Sequence, residues 1–526
     1  MPRDFHLPGR SPVIAREGMA ATSHPLATLA AIDMLRAGGT AADAAVAAVA
    51  VLCVVEPHMT GIGGDCYSLV SKPGKPVWGY NGSGRAGAKA STEALQQQGL
   101  RAIGDSIHAV TVPGAIDAWG AILKAHGKFP LERVLAPAIQ YAETGFPVAS
   151  RVAFDWALKI DKLKADPGAT RHYLFNGRAP AEGDVIKVPA LAQTLKTIAA
   201  KGPRAFYEGP IAEDMVATLT ARGSFLTLDD FARHTGDEVQ PISTNYRGID
   251  LVEIPPNGQG LTALVMLNIL ERFDLKSLDP LGPERFHLVL EAARLAYAVR
   301  DTHLADALHM RASVPALLDK AFAAKLASHI DLRRRAKLPA APAPGSNTVY
   351  LSVVDRDRTA VSLINSLFST FGIGICTEKT GILLNNRGSC FVVDPKHPNT
   401  FGSNKRPMHT IIPALTMRDG RCDMSFGVMG AHYQPMGHVQ IMLNMFDFGM
   451  DAQQAIDAPR AFFEGEKTIV EHGMPTATIE GLTARGHKVS SDLQPWGGAQ
   501  TVRIDWDRGV LIGASDPRKD GCALGY

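Results

Sequence analysis

Two hydrophobic periods divide this chain. From Ser23 to about Asp331 apolar residues recur mostly at three- and four-residue intervals, the spacing of amphipathic helices, whereas beyond Ser346 they alternate in twos, as strands do. "SHPLATLAAIDMLRAGG" predicts a helix with Ser23 as N-cap and Gly38-Gly39 as its end. Ala41 to Val55, almost wholly apolar, predicts a second helix buried on every side. "TGIGGDCYSLV" reads as a glycine turn feeding a strand, and "KPVWGYNGSGRAGAKAS" as a strand running into a glycine-rich loop. From Val112 to Asp331 the spacing is mostly helical and predicts one helix-rich layer.

Prolines at 339, 342 and 344 remove backbone donors between Ala336 and Ser346, so that stretch reads as a surface loop or linker. After it, "TVYLSVVD", "AVSLINS" and "GILLNN" predict short strands. "PALTMRDGRCDMSFG" and "TVRIDWDRGVLIGASD" predict hairpins around Asp-Gly and Arg-Gly turns, and "GHVQIMLNMFDFG" and "DAQQAIDAPRAF" predict helices between them. There is no internal repeat. Strands near both ends, flanking a helical middle, imply one α/β fold whose sheets draw on both ends of the chain.

Composition narrows the function. The 526 residues are 46% apolar and 20% charged, enough for a large core, and the net charge of +2 comes without any basic run longer than Arg333-Arg334-Arg335. That argues against a nucleic-acid partner and for a small molecule. Six cysteines lack CxxC spacing and read as buried thiols in a reducing compartment. The charged, proline-bearing start and the lack of an apolar run of about 20 residues point to a cytoplasmic protein without a membrane span. "GIGGD" and "PPNGQG" lack nucleotide-loop spacing and read as turns. His432 and His438 match no zinc pattern, so no metal or cofactor is expected, and Asp516 and Arg518 read as a structural pair.

Taken alone, Thr348, at the seam between the proline-rich stretch and a strand, is an ordinary strand residue. The stretch from "GMAATSHPLATLAAIDMLRAGG" through "EPHMTGIGGD", with "NTVYLSVVDRDRTAVS", "GILLNNRG", "NKRPMHTIIPA", "GVMGAHYQP" and "GASDPRKDGCALGY", gives it another meaning. In that order, over nearly the whole chain, these motifs resemble the γ-glutamyltransferase family of N-terminal-nucleophile hydrolases. The resemblance implies a four-layer αββα sandwich made as one precursor that cuts itself between Asn347 and Thr348. Residues 1–347 and 348–526 would then stay associated, and the resemblance leaves open a dimer of such pairs. It also implies Thr348 as nucleophile, with its freed α-amine as base. A free α-amine has a reference pKa of about 7.7–8.0 and can take a proton near neutral pH, which an internal threonine cannot. The backbone N–H groups of Gly430 and Ala431 would form the oxyanion hole, provided alanine accepts the dihedrals of the family's second glycine. Ser366, eighteen residues on, aligns with the family's second threonine, which hydrogen-bonds the nucleophile, or is simply a buried strand serine.

The pocket departs from the transpeptidases of the family. The family's arginine position holds Ser83, with Arg85 two residues later; its asparagine position holds Phe368 and its glutamine position Arg387. Cys390 replaces the aspartate that would pair with a substrate ammonium, and His409-Thr410 replaces the serine pair. A buried ammonium without an acid is costly, so γ-glutamyl donors should be poor substrates. Arg85, Arg387 and His409 instead suit an acyl group with a carboxylate and no amine, although Arg387 also reads as a surface arginine in a turn. The set resembles the family's branch of oxamate amidohydrolases and cephalosporin-acylase-like enzymes. The reading is an amidohydrolase with a small amide substrate; a γ-glutamyl hydrolase or transferase, and an unprocessed, inactive binding or scaffold protein, remain as alternatives.

Overall fold

The computed structural model describes residues 9–337, 348–491 and 496–526. Its architecture follows from two antiparallel sheets that each bury both faces. One runs in the order Val13–Ala15, Val510–Ser515, Gly498–Asp505, Arg421–Met429, Ala414–Arg418, Ile249–Glu253, Ile242–Tyr246. The second runs Cys522–Gly525, Met19–Thr22, Val349–Val354, Ala360–Ser366, Asp65–Ser71, Trp78–Gly82, Asp237–Val239. Helices Pro25–Arg36, Ala41–Val55 and Ala115–His126 cover the second sheet, with Leu131–Thr144 packed on Ala41–Val55, while Gly260–Leu270, Gln434–Phe446 and Ala452–Asp457 cover the first, with Pro283–His303 packed on Gly260–Leu270. This is the four-layer αββα sandwich. Strands from before and after the proline-rich stretch stand side by side in both sheets, as expected of one fold drawing on both ends.

All fifteen residues of Ala41–Val55 are buried, and alanine at seven of them lets neighbouring backbones close on the helix. Thr40 and Asp43 form a capping box at its start. Between the sheets the contact is partly polar. Tyr350 Oη lies 2.8 Å from the hydroxyls of Ser352 and Ser362, and Ser352 Oγ donates to Ser425 O of the opposite sheet at 2.9 Å. Opposite the Tyr350 ring stands Gly427, where a Cβ would come within 2.4 Å of the ring.

Several expectations change. The first helix begins at Pro25 with His24 as N-cap, its Nδ1 accepting from Leu26 N; Ser23 Oγ instead donates to Glu56 at 2.5 Å. "GILLNN" makes no ladder, only a bridge from Leu383 to Cys376. The helical middle splits between both outer layers, because helices before and after Ile242–Glu253 pack on opposite sheets. That hairpin went unread: its turn uses Arg247 and Gly248, both at positive φ, in place of the usual Asn-Gly or Asp-Gly.

The segment leading to the proline-rich stretch is clamped. Glu291 pairs with Arg294 at 2.8 Å; the carboxylate accepts from Ala336 N and the guanidinium donates to Ala336 O. His287 and His487 lie beside Glu291, with ligand-type atoms within 4.8 Å of one another. Both oxygens of Glu291 already hold protein donors, and Arg294, Arg335 and Arg485 make the surroundings positive, so the cluster suits a clamp better than a cation. Among the described residues no helix is long and apolar enough to cross a membrane.

Gly427→Ala drives a methyl into the Tyr350 ring, and overpacking of this kind costs about 1–3 kcal/mol. The urea midpoint should fall accordingly with an unchanged slope; an unaltered midpoint would show that Tyr350 can move aside.

Candidate active site

Strand register assembles the centre. Val349 pairs with Asn365, which sets Thr348 opposite Ser366; on the other side Ser366 pairs with Asp65. Thr348, Ser366 and Asp65 therefore form a row across three adjacent strands on one face. That face is the one carrying Tyr350, so the row looks across the gap between the sheets. Thr348 Oγ1 donates to Ser366 Oγ at 3.2 Å, all three residues are fully buried, and Gln434 Nε2 lies 3.5 Å from Thr348 Oγ1. The spacing of eighteen residues is thus that of a hairpin returning to its start.

Arg387 bridges the row. Its guanidinium, fully buried, donates to Thr410 Oγ1 at 2.7 Å and to Ser366 Oγ at 3.4 Å, while Nε stands 3.8 Å from Asp65. Its Cζ lies 4.4 Å from the ring centroid of Phe368, whose backbone sits at φ +83 and whose N–H donates to Ser366 Oγ. A φ in that region disfavours side chains, so the turn is held by its hydrogen bond rather than by preference. The reading of Arg387 as a surface arginine fails.

Charge within the centre is fixed by burial. Burial alone would raise the Asp65 carboxyl; the hydrogen bond from His409, the nearby positive charge and the N–H of Gly84 hold it below its ordinary value. His409 Nε2 lies 3.0 Å from Asp65 while Nδ1 accepts from Ile411 N, so the ring is the neutral Nε2–H tautomer. Burial, and then Arg387, push the His409 pKa down to about 3. With His409 neutral, the cation opposite Asp65 is Arg387, itself lowered by burial and supported by Cys390 and Asp65. Burial raises the Cys390 thiol, and Arg387 partly offsets this.

Gly430 and Ala431 follow the strand Arg421–Met429 of the opposite sheet and lead into Gln434–Phe446. Their φ values are +125 and +48, so alanine does adopt the left-handed turn that glycine would supply. Gln259 Nε2 donates to both Thr410 O and Ala431 O, and Arg300 Nη1 donates to Gln259 Oε1 at 2.8 Å.

The structure thus brings Thr348, Ser366, Phe368, Arg387, Cys390, His409 and Thr410 around one centre. Arg85 is separate: its guanidinium reaches Asp237 and Thr235 O, in a cluster shared with Arg406. Asn347, the other side of the expected cut, lies outside the described residues. Sequence reading missed Asp65, Gln259, Arg300 and Gln434. Asp65 ends one glycine-rich motif that reads as a turn and Gln259 stands next to last in the other, and a lone polar residue entering an apolar strand or helix is the available signal. Asp516 and Arg518 do pair, at 3.2 Å.

Known proteins place this geometry. The Gamma-glutamyltranspeptidase family model matches residues 27–526. The chain is 39% identical over 524 residues to the glutathione hydrolase-like YwrD proenzyme of Bacillus subtilis, covering 98% of this chain and 99% of that one. It is 34% identical to the oxamate amidohydrolase proenzyme of Klebsiella pneumoniae, again covering 98% and 99%. The crystal structure of cephalosporin acylase from Bacillus halodurans superposes with a TM-score of 0.93 at 38% identity, covering 100% of this chain and 99% of that one. With its fold and its whole length matched by proenzymes and an acylase, this chain is an enzyme of the gamma-glutamyltranspeptidase family.

Proposed function

We propose that the protein is a self-processing N-terminal-threonine amidohydrolase that cleaves an amide of a small, carboxylate-bearing acyl group. The observation that carries this is the buried row Thr348–Ser366–Asp65 bridged by Arg387. In maturation, Thr348 Oγ1 attacks the Asn347 carbonyl, the amide becomes an ester, and water hydrolyses it, leaving residues 1–347 and 348–526 with a free amine on Thr348. In turnover, that amine takes the hydroxyl proton as Oγ1 attacks the substrate amide. The N–H groups of Gly430 and Ala431 receive the oxyanion, the amine product leaves with the proton, and water releases the acid.

Arg387 selects the acyl group. It touches Ser366, which touches Thr348, so a carboxylate on Arg387 lies only a short way from the carbonyl under attack. The Klebsiella relative is named for oxamate, whose carboxylate is bonded directly to the amide carbonyl. The name of the Bacillus relative favours γ-glutamyl compounds instead. Against that reading, Asp65, the acid of this centre, already faces His409, Gly84 N and Arg387, and Cys390 offers a thiol where an ammonium needs a carboxylate. All six cysteines are free, which favours a cytoplasmic setting.

Intact mass of the purified wild type should give two pieces that meet at Thr348, and Thr348→Ala a single uncut chain; an uncut wild type would favour a binding or scaffold role. Arg387→Gln should raise KM for a carboxylate amide about 10²-fold, since hydrogen bonds to a charged group contribute about 1.5–3 kcal/mol, and should spare a neutral amide. Equal losses on both would remove Arg387 from substrate recognition. Wild-type activity on a γ-glutamyl anilide should fall well below that on the short carboxylate amides. The rate should rise with pH as the Thr348 amine loses its proton, near or below its reference value of about 7.7–8.0 because of Arg387. His409, already neutral above about pH 4 given its pKa of about 3, adds no inflection, so His409→Gln should leave the midpoint in place.

A further inference from the structure

The oxyanion turn contains a conflict that glycine would not have. Ala431 sits at φ +48, where its Cβ is crowded, and the direction of its N–H depends on its holding that conformation. Two peptide planes meet at Ala431. The plane before it is pinned by Tyr433 N, which donates to Gly430 O at 2.9 Å. The plane after it is pinned by Gln259 Nε2, which donates to Ala431 O at 2.8 Å.

We propose that Gln259 is a positioning residue that holds the Gly430–Ala431 turn in its working conformation and locks it to the His409–Thr410 segment. This rests on the reading that these two N–H groups stabilise the oxyanion. The glutamine is fully buried and its polar atoms are placed without ambiguity. Arg300 Nη1, which can only donate, faces Oε1, so the amide nitrogen is the end that meets Ala431 O and Thr410 O, at 2.8 and 2.7 Å. The same residue's N–H donates to His409 O at 2.9 Å, and His409 N donates to Asn257 O at 2.8 Å. The stretch 257–259 therefore joins the segment bearing the substrate-side groups to the segment bearing the oxyanion donors. Arg300 reinforces the orientation that the two carbonyl acceptors select, and its hydrogen bond to Oε1 tightens the amide in place.

The test separates transition-state geometry from ground-state binding. The probes are a short carboxyalkyl boronic acid and the carboxylate product. Boron accepts Thr348 Oγ1 as the hydroxyl proton passes to the amine, giving a tetrahedral anion that needs the oxyanion donors. In the cleaved Gln259→Leu enzyme, kcat should fall about 10²-fold, the scale of a misplaced catalytic group, with KM within threefold. Boronate affinity should fall by the same order while product affinity is kept. Ala431→Gly added to Gln259→Leu should recover part of the loss, since glycine enters the turn without a Cβ penalty. Equal loss of boronate and product affinity would make Gln259 a packing residue and overturn the proposal; unchanged boronate affinity would overturn it too. A wild type that binds no boronate would instead fail the oxyanion reading on which the proposal stands. If Gln259→Leu remains uncut, Arg300→Met, which leaves the glutamine but removes the hydrogen bond that tightens its amide, carries the same comparison with a loss of about tenfold.

Discussion

A carboxylate sealed between two sheets has to be answered by charge and hydrogen bonds, and the site is organised around that requirement. Asp65 is fully buried, and it is answered by His409, by the N–H of Gly84 and by the guanidinium of Arg387. Removing one member of such a group leaves an unpaired buried charge, the arrangement proteins tolerate least. The register that brings Asp65 beside Ser366 also brings Ser366 beside Thr348, so the electrostatic centre and Thr348 are fixed by the same ladder. Arg387 stands at its position because Asp65 stabilises its charge, while its remaining donors reach hydroxyls rather than a second acid.

That arrangement explains how far the residue pattern could be read. The period change after Ser346, the buried Ala41–Val55 helix and the two C-terminal hairpins are local features, and they appear where periodicity puts them. Thr348, Ser366, Arg387 and His409 became visible through resemblance, since a motif carries its spatial context with it. Asp65 did not, because its partner His409 lies 344 residues away and nothing in "GIGGD" distinguishes a charged hub from a turn. Gln259 stayed hidden in "PPNGQG" for the same reason. Arg85 shows the opposite failure: its position in a pocket motif was legible, but Asp237 draws its guanidinium into a neighbouring cluster.

The gap between the sheets is polar as well as apolar, with Tyr350 and the serines 352, 362 and 425 linking them by hydroxyls. Hydrogen bonds are directional where apolar contact is not, so this set fixes how one sheet sits over the other. The 3.5 Å approach of Gln434 Nε2 to Thr348 Oγ1 depends on that alignment, since Gln434 follows a strand of one sheet and Thr348 begins a strand of the other.

The interleaving of strands has a consequence for the life of the molecule. Both sheets contain strands from each side of the Asn347–Thr348 bond, so a chain cut there cannot separate without dismantling both sheets. Folding before the cut is unimolecular; refolding after it would require two pieces to find each other, at a rate set by their concentration. A cut at this bond, as proposed above, would therefore turn an equilibrium property into a historical one: the cut form would persist through the barrier to its unfolding rather than through easy return, whereas the uncut chain folds as one piece.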